Sequence, residues 1–304
     1  MVGTCQANYT PNTIEGRPMT KRTNHLFWLG IVGGVLALSG CGRPLTCEPS
    51  DVQERRGVYK TTAQGELQMH VFECSQSGKR PAIVFFFGGG WVGGNPQQFF
   101  PHCRHLAALG MVAISAEYRV RNRHGTTPFE CVADGKSAVR YLRRHAKELG
   151  VDPDRIIAAG GSAGGHVATC TATIPGYEEA GEDATVSSQP NALVLFNPVV
   201  DTTKLGYGAN RFKDDPKVLS PAHHIRADLP PTIIFHGTAD TTVPFENVKR
   251  FCGAMRQAGN ECTLVPFESK KHGFFNYTRE EDHRSYNETI EHTEGFLRTH
   301  GYIK

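Results

Sequence analysis

Ser162 lies in Gly160-Gly161-Ser162-Ala163-Gly164, directly after the apolar run Ile156 to Ala159 and ahead of a small-residue helix. A serine on a sharp strand-to-helix turn presents its hydroxyl at the strand's carboxyl end, and the turn admits only small residues two places either side. Gly160 and Gly164 fill both places. Such a hydroxyl becomes a nucleophile once a base and an orienting acid reach it. Downstream, Pro231 to His236 reads as a buried strand that turns off through Gly237-Thr238-Ala239-Asp240, and a helix begins at Pro244. The strand Cys262 to Phe267 then runs into Ser269-Lys270-Lys271-His272-Gly273-Phe274. Asp240 is the candidate acid and His272 the candidate base. The strongest apolar stretch, Pro81 to Phe87, ends in Gly88-Gly89-Gly90-Trp91. Glycines let backbone N–H groups approach a substrate oxygen, so the amides of Gly89 and Gly90, with that of Ala163, are candidate oxyanion donors.

Each of these residues also has a plainer role. Ser162 could cap its helix, as serines before helices commonly do. Asp201, after Phe196 to Val200, competes with Asp240 for the place of the acid. His272 competes with thirteen other histidines of the 14. Among them His166 reads as a packing residue on the helix after Ser162, and His236 as a structural polar group ending its strand. Glu117 either lines the pocket floor or pairs with Arg119, and Trp91 either flanks an acyl pocket or covers the core.

Together the segments resemble the α/β-hydrolase superfamily, specifically the esterase/lipase branch with an H-G-G-G-W type oxyanion loop and a G-x-S-A-G-G elbow. Glu117-Tyr118-Arg119, His236 to Asp240 and Lys271-His272-Gly273-Phe274 match as well, and the likeness runs from about Gly65 to Gly301. The chain order Ser, Asp, His is the order of that superfamily. The closest likeness is to small bacterial carbohydrate acyl esterases of the acetylxylan and feruloyl type. The resemblance implies covalent acyl transfer, with Ser162 attacking an ester carbonyl, His272 taking its proton and Asp240 fixing the imidazole. One position departs: Phe87 stands where the loop usually has histidine, so packing must brace the loop in place of a hydrogen bond. No metal or other cofactor is called for, since there is no H-E-x-x-H and His223-His224 has no carboxylate at ligand spacing. The alternative is a serine peptidase of the prolyl oligopeptidase type, which shares the fold; this chain has no room for the usual β-propeller, so the role would be aminopeptidase-like and would show as cleavage of amino-acid anilides. A non-catalytic hydrolase-fold lipoprotein would lack a triad member, and dienelactone-type hydrolases have cysteine at the place of Ser162.

Positioning these loops requires strands that end at one edge. Expected strands are 65–74, 81–87, 111–116, 155–159, 192–196, 231–236 and 262–267, and expected helices are 98–109, 128–149, 163–173, 244–258 and 282–299. Such alternation implies an α/β domain with a mostly parallel sheet covered on both faces by helices, and a site at the carboxyl ends of the strands. Residues 42–64 read as a linker. The segments Pro175 to Gln189 and Asp201 to Arg226 are insertions that would shape the pocket, each too short for a lid domain.

Composition agrees with one enzyme domain of 304 residues, 39% hydrophobic and 21% charged. A net charge of +3 with no basic stripe excludes a nucleic-acid binder as the leading class. At the N-terminus Lys21-Arg22 precedes the apolar run Leu26 to Leu38 and Ser39-Gly40-Cys41, the pattern of an export signal too short to span a bilayer comfortably. Leu38-Ser39-Gly40-Cys41 resembles the bacterial lipobox, which makes Cys41 the expected lipidation site and the protein a membrane-tethered envelope enzyme. Translation is expected to start at Met19. Export permits disulfides. Apart from Cys5 and Cys41 seven cysteines remain, and the expected pairs are Cys103 with Cys131 and Cys252 with Cys262, then Cys47 with Cys74, leaving Cys170 as a core thiol.

Overall fold

The computed structural model describes residues 47–277 and 283–304, so the expected export segment and the expected lipidation site Cys41 lie outside the described residues. In chain order the elements are β1 (Gln53–Thr62), β2 (Gly65–Glu73), β3 (Arg80–Phe86), α1 (Phe100–Ala108), β4 (Val112–Ala116), α2 (Arg121–His124), α3 (Pro128–Arg144), α4 (Ala146–Leu149), β5 (Val151–Gly161), α5 (Ala163–Thr173), β6 (Ala192–Phe196), β7 (Thr232–Gly237), α6 (Phe245–Gln257), β8 (Cys262–Phe267) and α7 (Arg284–Thr299). They build an eight-stranded sheet of order β1-β2-β4-β3-β5-β6-β7-β8. The β1–β2 and β2–β4 pairs are antiparallel, and every pair from β4 to β8 is parallel. This is the α/β-hydrolase fold.

Helices cover both faces, which is why β3 reads as an apolar run from Pro81 onward and is buried along its whole length. One face packs under α3, α5 and α6, with Val139, Val167 and Phe251 in its core. The other packs under α1 and α7, with Leu106 and Leu297. Local signals start the helices. Thr127 and Glu130 form a capping box for α3, with Pro128 in its first turn.

Two expectations are corrected here. Residues 53–62, expected to belong to a linker, form β1, one of the two edge strands of the sheet. Its alternation is hidden because only Tyr59 and Lys60 are buried on an otherwise mostly polar strand, and the charges of Glu54, Arg55 and Arg56 are the kind by which exposed edges avoid pairing with other chains. The second correction concerns cysteines. Cys103 and Cys131 are free buried thiols because α1 and α3 lie on opposite faces of the sheet. Cys252 and Cys262 are neighbours but unbonded; the Cys252 thiol donates to the Cys262 carbonyl at 3.0 Å. The disulfide joins Cys47 to Cys74 across 27 residues and ties the segment before β1 to the end of β2. Cys170 is a buried free thiol on α5.

The insertion 175–189 is pinned to α3. Glu178 pairs with Lys136 and Arg140, Glu182 pairs with Arg140, and Glu179 reaches Lys60 and Arg119 around the fully buried Asp134. Arg119 is thereby committed to Asp134 and Glu179, while Glu117 accepts the Gln68 amide at 3.0 Å, so the Glu117–Arg119 pair does not form. Among the described residues no helix is long and apolar enough to cross a membrane.

Candidate active site

Ser162, Asn197, the turn to Asp240 and the loop to His272 all leave the sheet at its carboxyl edge, after β5, β6, β7 and β8. Ser162 takes φ 54°, a left-handed value that strains a residue with a Cβ. The surroundings enforce it. A Cβ on Gly164 would stand 2.0 Å from the Phe86 carbonyl oxygen, and one on Gly160 2.5 Å from that of Gly164, so no side chain fits at either place. A Cβ on Gly161 would strike the Phe275 ring at 2.5 Å.

The Ser162 Oγ lies 2.9 Å from His272 Nε2, and His272 Nδ1 lies 2.6 Å from Asp240 Oδ2. Asp240 is saturated with donors: its Oδ1 accepts the amides of Thr242 (2.8 Å) and Val243 (2.9 Å). Its Oδ2 also lies 3.3 Å from His236 Nε2, which is 2.8 Å from the Val243 carbonyl. Burial pushes this carboxyl upward, but the hydrogen bonds from His236, His272 and Val243 together outweigh it and hold Asp240 well below the usual carboxylate range. An ionised acid beside Nδ1 leaves Nε2 as the free lone pair facing Ser162. Asp201, the competing acid, instead accepts the Thr203 amide at 2.8 Å and has no part in this line.

The glycine loop sits beside the serine: a Cβ on Gly88 would come 3.4 Å from the Ser162 Cβ. With Phe87 in place of histidine, the loop is braced by packing and by other donors. Phe87 stacks on Tyr118 with centroids 4.2 Å apart, and the Tyr118 hydroxyl donates to the Phe87 carbonyl at 2.6 Å. The Gly88 amide donates to Gln98 Oε1 at 2.6 Å, whereas the next amides, Gly89 and Gly90, have no hydrogen-bond partner among the described residues. At the far end Trp91 is buried, and its Nε1 donates to His166 Nδ1 at 3.2 Å while His166 Nε2 reaches the Leu219 carbonyl at 2.6 Å. Trp91 therefore braces the loop rather than lining an open pocket. Ala163 opens α5, where a first-turn amide has no partner inside the helix.

Three positioning residues escaped the sequence reading. Gln98 donates to Asn276 Oδ1 at 2.8 Å, and Asn276 donates to the Gly273 carbonyl at 2.8 Å, so one amide chain couples the glycine loop to the histidine loop. Asn197 accepts the Gly273 amide at 2.9 Å from the end of β6. Asn197 and Asn276 flank recognised motifs, but amide side chains are common in loops and nothing in their spacing marks them.

The fold and this geometry define a serine-centred α/β-hydrolase of the esterase/lipase branch. The BD-FAE family model matches residues 69–255, more than half of the chain, and the chain belongs to that family. It is 31% identical over 210 residues to a probable carboxylic ester hydrolase, LipM, of Mycobacterium tuberculosis, covering 61% of this chain and 47% of that protein. It is 30% identical over 224 residues to an acetylxylan esterase of Xylanibacter ruminicola, covering 69% of this chain and 44% of that protein. The chain thus spans about half the length of the curated relatives it matches. The apo structure of esterase 2 of Thermogutta terrifontis superposes with a TM-score of 0.79 at 49% identity, covering 85% of this chain and 98% of that one. That esterase has also been seen with butyrate bound, where the match is 48% identical with a TM-score of 0.78, covering 84% of this chain and 96% of that one.

Proposed function

We propose that the protein is a serine carboxylic ester hydrolase acting on short-chain acyl esters, with carbohydrate-linked esters as its natural class. The observation that carries this reading is the unbroken hydrogen-bonded line Ser162–His272–Asp240 beside a glycine loop whose second and third amides have no partner among the described residues. His272 Nε2 takes the Ser162 proton as Oγ attacks the ester carbonyl. Asp240 stabilises the resulting imidazolium, and the amides of Gly89, Gly90 and Ala163 receive the oxyanion. The imidazolium then protonates the departing alcohol, and water repeats the cycle on the acyl-enzyme. A short acyl group is supported by the bound butyrate of the Thermogutta esterase, and a sugar alcohol by the acetylxylan esterase among the relatives. Envelope tethering through Cys41 is part of the same proposal; the lipobox-like segment and the Cys47–Cys74 disulfide support it.

The test is hydrolysis of para-nitrophenyl esters from acetate to octanoate, with acetylated xylan and an amino-acid anilide alongside, by the protein and its Ser162→Ala variant. Turnover of short esters and of acetylated xylan, lost at least about a thousandfold in the variant, is expected. Folded protein that turns over no ester would defeat the reading, and cleavage of the anilide alone would replace it with a peptidase.

A further inference from the structure

Arg211 sits beside the glycine loop with nothing to neutralise it. Its Nε is buried without a partner, and among the described residues its side chain makes no hydrogen bond or ion pair. By contrast, the buried Arg80, Arg119 and Arg140 pair with carboxylates, and Arg143 and Arg226 donate to backbone carbonyls. The Arg211 guanidinium lies 5.8 Å from the Trp91 ring and 5.9 Å from the Tyr207 ring, so two aromatic rings flank it. It points at the loop that would hold the ester: a Cβ on Gly90 would be 3.5 Å from Arg211 Nη2 and 2.9 Å from the Tyr207 hydroxyl. The Tyr207 hydroxyl likewise has no hydrogen-bond partner among the described residues. Asp201 and Asp215, acids of the same insertion, make no ion pair with Arg211: they accept the backbone amides of Thr203 and Lys217, and Asp201 lies 3.9 Å from Arg250.

We propose that Arg211 and Tyr207 form an anion subsite beside the oxyanion loop, and that the preferred esters carry a carboxylate close to the scissile bond. A planar, weakly hydrated guanidinium next to a phenol suits a carboxylate, which can accept from both. The inference rests on the esterase reading and narrows it: the substrate class is an acyl ester bearing an acid group, such as an acylated uronate.

The experiment compares isosteric pairs. Para-acetoxybenzoate against para-acetoxybenzamide places the charge on the alcohol portion; the para-nitrophenyl monoester of adipate against para-nitrophenyl hexanoate places it on the acyl portion. The wild-type protein is expected to favour the charged member of one pair by about tenfold in kcat/KM, carried in KM, and the pair that shows it locates the carboxylate. Arg211→Gln brings that ratio to about one, and Arg211→Lys recovers part of it. Because each ratio is taken within one variant, general damage to the loop cancels. Ratios near one in the wild-type protein for both pairs, or a ratio that survives Arg211→Gln, would overturn the subsite. Calorimetry on the Ser162→Ala protein reads the same site without turnover. There Arg211→Gln should weaken binding of para-acetoxybenzoate or of adipate about tenfold without weakening the benzamide. If no ester is hydrolysed, the esterase reading fails on its own and this binding comparison still decides the subsite, with no weakening counting against it.

Discussion

Lowering the pH should strip stability from the protein through His166, and the size of the loss follows from its surroundings. His166 is fully buried, with Trp91 donating to Nδ1 and the Leu219 carbonyl taking the Nε2 proton, so the fold needs the neutral ring. Burial drives its pKa down, with the Leu219 carbonyl opposing, from an ordinary 6.5 to about 4. The unfolded chain therefore binds the proton first as pH falls below 6.5, while the native state refuses it until about pH 4. The stabilisation is complete above the unfolded value and drains away as pH drops toward the folded one. Two and a half pH units at about 1.4 kcal/mol each give a loss of about 3 kcal/mol. His102, buried with neither ring nitrogen partnered among the described residues and lowered by burial to about 3, drains in the same direction. The assay therefore takes a difference: urea unfolding of wild-type and His166→Gln proteins between about pH 7.5 and pH 4.5, where glutamine keeps polar atoms at the site but cannot titrate. The wild-type advantage should shrink steadily across the series. A difference independent of pH would refute the claim that the brace of the glycine loop rests on a neutral imidazole.

Other expectations follow from single contacts. Tyr118→Phe leaves the Phe87 carbonyl without its 2.6 Å donor; about 1 to 3 kcal/mol should be lost in unfolding, with kcat on para-nitrophenyl acetate down about tenfold. Gly164→Ala should fail to fold or lose several kcal/mol, since its methyl would stand 2.0 Å from the Phe86 oxygen, whereas Gly295→Ala on α7, with nothing within 4 Å, should gain about 0.5 to 1 kcal/mol; thermal melts separate the two. Reducing the Cys47–Cys74 bond should cost about 3 kcal/mol, and alkylation of unreduced, denatured protein should label Cys103, Cys131, Cys170, Cys252 and Cys262 while sparing that pair. Labelled fatty acid should enter the full chain expressed in a bacterium and be absent from Cys41→Ser; incorporation into the variant would remove the tether from the account.

The parts of this protein readable from the chain were those where one residue type is forced by sterics. Gly160 and Gly164 stand where any side chain meets a backbone oxygen, and β3 is buried on both faces, so each leaves a signature in a few consecutive residues. Features set by long-range geometry left none. The faces of the sheet that α1 and α3 cover decide that Cys103 and Cys131 never meet, and no local spacing records it. β1 was hidden because an edge strand facing solvent on most positions carries the same polar residues as a linker. Trp91 could be read as pocket or core until His166 and Leu219, 75 and 53 residues away from their respective partners, were brought together around it.

The central claim is that Ser162 is the nucleophile and that the line to His272 and Asp240 activates it. Its most direct test is to incubate the protein with a fluorinated phosphonate, digest it, and locate the adduct by mass spectrometry in wild-type and His272→Ala proteins. One phosphonyl group on the peptide bearing Ser162, formed at least about a hundredfold more slowly in His272→Ala, is the predicted result. Ester turnover with an adduct on any other residue, or with Ser162 left unmodified, would contradict the account.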